Sequence, residues 1–153
     1  DIHSPALIVF WEKLLDMTMF ELDPRLTADT EDLGMLGLCR VLLMRDARYP
    51  WLILVPAKPD LVEISDLAPE DRIVLMEEIT VAGTALASLY RPEKINTGAL
   101  GNIVRQLHVH IVARNTGDPA WPGPVWGHSP AEPYDAAALE VRIKEIRRSL
   151  GAA

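Results

Sequence analysis

Between Pro69 and Pro92 the chain carries one long helical pattern, and this most limits the folds open to it. Proline is tolerated at a first helical position, and Glu70 and Asp71 place negative charge in the first turn, where a helix N-terminus attracts it. Ile73, Met76, Ile79, Gly83, Leu86 and Tyr90 then recur at three- and four-residue spacing, and Pro92 ends the run. Upstream, residues 36–44 (LGLCRVLLM) and 51–56 (WLILVP) read as largely buried strands. Their short link RDARYP, with Pro50 closing the turn, predicts an antiparallel pair. Downstream come a short strand KINTG, a glycine-bearing loop GALGN and a strand over residues 104–113. Residues 115–130 are too rich in proline and glycine for regular structure. From Asp135 to Leu150 an amphipathic helix is predicted, with Leu139, Ile143, Ile146 and Leu150 inward. Strands on both sides of a central helix predict the α+β class, with a mainly antiparallel sheet and a second, C-terminal helix.

At 153 residues the chain is long enough for one domain with a hydrophobic core of its own. Residues 17–153 are read as that domain and residues 1–16 as an N-terminal extension. A formal net charge of −7 argues against long nucleic acid or an anionic membrane as partner, and leaves room for a small nucleotide. The apolar stretches fall short of the roughly 20 residues of a membrane span, and SPALIVFWEKLL lacks the basic start of a secretory signal. Cys39 is the single cysteine, which excludes an intramolecular disulfide; among Leu38, Val41 and Leu42 it reads as a buried thiol. A reducing, cytoplasmic setting is expected.

Chemistry concentrates in QLHVHIVAR, residues 106–114, which holds two of the four histidines. Side chains alternate faces along a strand, so Leu107, Val109 and Ile111 share one face and Gln106, His108 and His110 the other, ~6.6 Å apart. Three readings are open. The polar face is merely solvated; or the two imidazoles share a metal, for which a third ligand at a diagnostic spacing is wanting; or one histidine is a nucleophile toward phosphorus. An imidazole is largely unprotonated near neutral pH, and a covalent intermediate splits a difficult displacement into two steps. The glycine loop upstream would supply backbone N–H groups to the phosphate charge.

QLHVHIVAR resembles the signature of the histidine triad (HIT) family, in which three histidines alternate with apolar residues. NTGALGN resembles that family's Asn-x-Gly…Gly-Gln segment, and YPWLILVPAK its Pro-x-His strand. With the intervening helix the likeness spans roughly residues 36–114, and it is similar in particular to a bacterial HIT-like subgroup carrying QLHVH and AWPGPVWG. The resemblance implies an α+β HIT-like fold that dimerises. It also implies hydrolysis or transfer of nucleoside monophosphates through a nucleotidyl-histidine intermediate, without an obligatory metal or other cofactor. It would make His108 the nucleophile, place His110 near the phosphate and leaving group, and put Asn96, Gly101 and Asn102 at the phosphates, with Asp46 at the ribose. Three positions depart from the family pattern: Gln106 at the first triad position, Trp51 at a frequent active-site histidine and Ile103 at a frequent Ser or Thr. The substrate would be a dinucleoside polyphosphate, nucleotidyl sugar or phosphoramidate. The alternative is a nucleotide-binding or sensing module that kept the fold with a reduced triad.

Five further residues complete the expectations. Trp121 and Trp126 either rim the cleft or cap the sheet or a dimer contact; His3 and His128 are read as exposed, and Arg114 as part of a structural ion pair.

Overall fold

β-branched and leucine-rich segments fill the middle of a five-stranded antiparallel sheet. The structure is a computed structural model describing residues 4–152; His3 and the first residues of the expected extension lie outside the described residues. Helix α1 spans Pro5–Met19 and α2 Pro24–Asp29, followed by β1 Thr30–Met35, β2 Cys39–Met44, β3 Trp51–Pro56, helix α3 Pro69–Tyr90, β4 Lys94–Gly98, β5 Val109–Arg114 and helix α4 Ala136–Leu150. The spatial order β1-β2-β3-β5-β4 follows because α3 carries the chain from β3 to the far edge and β5 returns between them. The architecture is the predicted α+β, with the predicted antiparallel pairing of β2 and β3.

Every residue of β3 and β5 is buried, because both faces of the sheet are covered. On one face Val41, Leu43, Leu52, Leu54, Val109 and Ile111 pack with Leu75, Ala82 and Leu86 of α3 and Ile146 of α4. On the other, Leu42, Trp51, Ile53 and Val112 pack with Leu26 of α2 and with Ala120 and Val125 from the segment after β5. That second layer is thin, and the cleft described below opens through it.

α3 is long and apolar enough in composition to cross a bilayer, but its Leu75, Ala82 and Leu86 are buried against the sheet. Its buried stripe is offset from the recurrent apolar set, so Ile73 and Met76 are exposed. The stripe includes Glu78, whose carboxylate accepts the N–H groups of Leu38 (2.8 Å) and Cys39 (3.1 Å) at the start of β2. Cys39 is buried, and desolvation, followed by the Glu78 charge, pushes its thiol well above the usual range. α4 follows the predicted pattern, with Asp135 capping its N-terminus and Ile146 fully buried.

Two boundaries differ from expectation. The apolar stretch from residue 36 becomes a strand only at Cys39; Leu36 donates to the Cys39 carbonyl across the β1–β2 turn. β1 (TEDLGM) carries one fully buried leucine, Leu33, among polar residues, and a bulge between Asp32 and Gly34 further breaks its alternation. An edge strand needs only one covered face, so it lacks the apolar run that marks β2 and β3. The strand predicted over 104–113 likewise starts at Val109, so Gln106 and His108 precede the ladder. Leu107 keeps its inward direction because its N–H donates to the Leu61 carbonyl at 2.9 Å, in the loop before α3.

Candidate active site

A cleft of about 530 Å³ opens on the thin face of the sheet. Leu26, Met44, Ile53 and Val125 give it an apolar wall, and Gly101, Asn102 and the two histidines His108 and His110 a polar one. A smaller cavity of about 280 Å³ shares Leu100, Gly101 and His108 with it and is lined also by Gln106. Gly101 adopts φ +74°, a left-handed turn that glycine takes without steric cost and that bends the loop toward His108.

The imidazoles of His108 and His110 are both buried, with ring centroids 4.9 Å apart, yet their hydrogen bonds give them opposite tautomers. Nδ1 of His108 lies 2.6 Å from the main-chain carbonyl of Gln106. A carbonyl only accepts, so Nδ1 carries the proton and Nε2 keeps a free lone pair. Nδ1 of His110 lies 3.0 Å from the indole nitrogen of Trp51. An indole N–H only donates, so Nδ1 accepts and the ring proton sits on Nε2. Burial, with a smaller contribution from His108, pushes the His110 pKa down to about 3. One ring presents a free lone pair; the other is a neutral donor.

Gln106 does not share the cleft face with the histidines, contrary to the alternation read from sequence. Its Oε1 accepts the N–H of Asp23 (2.8 Å) and its Nε2 donates to the carbonyl of Glu21 (2.9 Å), clasping the link between α1 and α2. Asp23 caps α2 and pairs with Arg25 (3.0 Å), whose other amino group donates to the carbonyl of Ile103 (3.0 Å). The hydrogen bonds from Arg25 hold the Asp23 carboxyl below its usual range. A chain of contacts thus runs from the flank of His108 to the glycine loop. Sequence reading missed it, although Asp23-Pro24 is a recognisable helix start.

The remaining expected residues divide. Gly101, Asn102, Asp46 and Trp51 line the cleft. Asp46 does so with both oxygens engaged by Arg48 (2.9 Å each), and although burial opposes ionisation, those bonds keep its carboxyl below the usual range. Asn96 does not line the cleft: its Oδ1 accepts from Arg114 at 2.8 Å. Arg114 is fully buried, as part of the structural pair expected of it, and binds Asp118 at two points (2.7 and 3.0 Å) and the Gly123 carbonyl (2.8 Å). This knot shapes the proline-rich segment so that Trp126 packs edge-on against His110 (5.4 Å) and Trp51 (6.3 Å). Gly98 lets it, since a Cβ there would come within 3.2 Å of the Trp126 ring. Trp126 therefore rims the cleft, whereas Trp121 stacks against the Arg114 guanidinium. His128 is exposed. Among the described residues, no three His, Cys, Asp or Glu side chains gather closely enough to hold a metal ion.

The family model of the HIT domain matches residues 26–117, more than half of the chain. The chain belongs to the histidine triad family. A histidine triad protein from Sinorhizobium meliloti is 49% identical, with TM-score 0.85 over 87% of this chain and 98% of that one. Another, from Bradyrhizobium japonicum, is 48% identical with TM-score 0.84 over 86% and 98%. A third, from Marinobacter aquaeolei, is 43% identical with TM-score 0.85 over 87% and 97%. No curated protein matches the chain. Histidine triad proteins are generally nucleotide hydrolases or transferases. In this histidine triad chain two imidazoles face the cleft, and the first triad position is a glutamine turned outward to the α1–α2 link.

Proposed function

We propose that the protein is a nucleotide hydrolase or nucleotidyl transferase acting at the α-phosphate of a nucleotide conjugate, with His108 as nucleophile. The observation that carries this reading is the His108 tautomer: Nδ1 is tied to the Gln106 carbonyl, so the lone pair on Nε2 is free beside a cleft of nucleotide size. Nε2 attacks phosphorus as the bond to the leaving group breaks, and the leaving group takes that electron pair. The resulting nucleotidyl-imidazolium keeps its proton on Nδ1, still donated to the Gln106 carbonyl. Water or another acceptor then attacks phosphorus, the P–N electrons return to Nε2, and the water proton is released. Backbone amides of the Gly101 loop and the Nε2–H of His110 stabilise charge on the phosphoryl oxygens. The apolar wall of Leu26, Met44, Ile53 and Val125 receives the nucleoside.

Rapid quench with a diadenosine polyphosphate, followed by intact-protein mass spectrometry, tests the step directly. The protein should show a transient nucleotidyl adduct that His108→Ala lacks. Saturable nucleotide binding with neither adduct nor turnover would replace this reading with the binding or sensing module, which the outward-turned Gln106 favours.

A further inference from the structure

Trp51 opens β3 opposite Val112 of β5, two residues from His110, with 5% of its surface exposed. Its N–H points at the one His110 nitrogen that would have to gain a proton for the ring to become cationic. An imidazolium there would set N–H against N–H inside a buried pocket closed on the other side by the Trp126 ring. His110 therefore offers a hydrogen bond from Nε2 but is no store of a transferable proton. Trp51 stands where the family pattern that the sequence resembles often has a histidine.

The consequence falls on the leaving group. As Nε2 of His108 forms the N–P bond, the old P–X bond breaks and its electron pair stays on X. Where X is the oxygen of a phosphate or polyphosphate, it departs as an anion stable near neutral pH and needs only hydrogen bonds. Where X is the nitrogen of an amine, it must gain a proton as it departs, which calls for a general acid. Elsewhere in the cleft, Asp46 is held as a carboxylate by Arg48, and the Thr30 hydroxyl donates to the Leu26 carbonyl. We infer that Trp51, by locking His110 as a neutral Nε2–H donor, makes the site selective for phosphoanhydride nucleotide conjugates over phosphoramidates. Trp51 is thus a positioning residue that acts through His110, and the inference rests on the proposed nucleotidyl transfer.

The test compares single-turnover adduct formation from diadenosine tetraphosphate with that from an adenosine 5′-phosphoramidate of a primary amine. The unsubstituted protein should favour the anhydride by at least about 100-fold, the scale of one general acid. Trp51→Phe, which removes the N–H facing Nδ1, should narrow that ratio, and Trp51→His, which also adds a ring able to carry a proton, should narrow it about tenfold or more. Nitrogen-15 NMR of the unsubstituted protein gives a readout independent of any variant: His110 should remain a neutral Nε2–H tautomer from pH 5 to 8, on the order of two units above its titration. Equal rates from the two donors, or a His110 proton on Nδ1, would overturn the inference while leaving nucleotidyl transfer in place. No adduct from either donor would overturn the proposed reaction, and the inference with it.

Discussion

Gln106 and Asp23 stand 83 positions apart, yet the Asp23 main-chain N–H donates to the Gln106 side chain at 2.8 Å. The same amide side chain donates back to Glu21, so the residue at the first triad position holds the N-terminal segment onto the stretch that carries His108 into β5. Its backbone, not its side chain, orients His108.

Gln106→Ala separates those two roles. Losing both side-chain hydrogen bonds should cost about 1–3 kcal/mol of stability. Adduct formation should fall by no more than about 100-fold, since the orienting carbonyl remains and only its placement loosens. Thermal melts and rapid quench measure the two effects; a rate loss as deep as that of His108→Ala would mean the amide itself takes part in the chemistry.

Glu78→Ala should destabilise the fold by about 2–4 kcal/mol, because the buried N–H groups of Leu38 and Cys39 lose their acceptor. Glu78→Gln keeps one acceptor oxygen and should recover part of the loss. The denaturant midpoint reports both, and an unshifted midpoint for the alanine variant would show that water replaces the carboxylate.

Arg114→Met should release the proline-rich segment, since the guanidinium joins Asp118, Gly123 and Asn96. Breaking a buried pair from one side typically costs about 3–5 kcal/mol. Trp126 would then leave the cleft rim, and tryptophan emission should shift to the red with weaker nucleotide binding. A folded variant with unchanged emission would show that the segment holds its shape without the arginine.

His110 also gives stability a pH dependence of definite sign. Its folded value of about 3 lies below the ordinary 6.5, so as pH falls below 6.5 the unfolded chain takes up the proton first. The contribution is therefore complete above pH 6.5 and is lost between there and about pH 3, by at most about 1.4 kcal/mol per unit. Urea unfolding of the protein and of His110→Phe at about pH 7, 6 and 5, a range that spans the ordinary histidine value, isolates the difference. Parallel slopes for the two proteins would refute it.

Much of the molecule was legible from local pattern. The α3 helix, the β2–β3 pair, α4 and the irregular segment after β5 all follow from periodicity and from proline and glycine, whose effects act within a few residues. His108 and His110 were rightly placed together on one side of the sheet, because Leu107, Val109 and Ile111 claim the other. β1 escaped notice because a bulged edge strand with one fully buried leucine has almost no pattern to read.

The amino-acid sequence by itself thus determined the class of fold, the order of its elements from β2 to α4 and the pair of imidazoles at its cleft. Tertiary structure decided what each imidazole can do. A tautomer depends on which donor or acceptor meets each ring nitrogen, and the donor to His110 is Trp51, 59 positions away. It also turned Gln106 toward the α1–α2 link and Asn96 toward Arg114, because a polar side chain in a packed interior goes where a partner meets it, and those partners are assembled only when distant segments fold together.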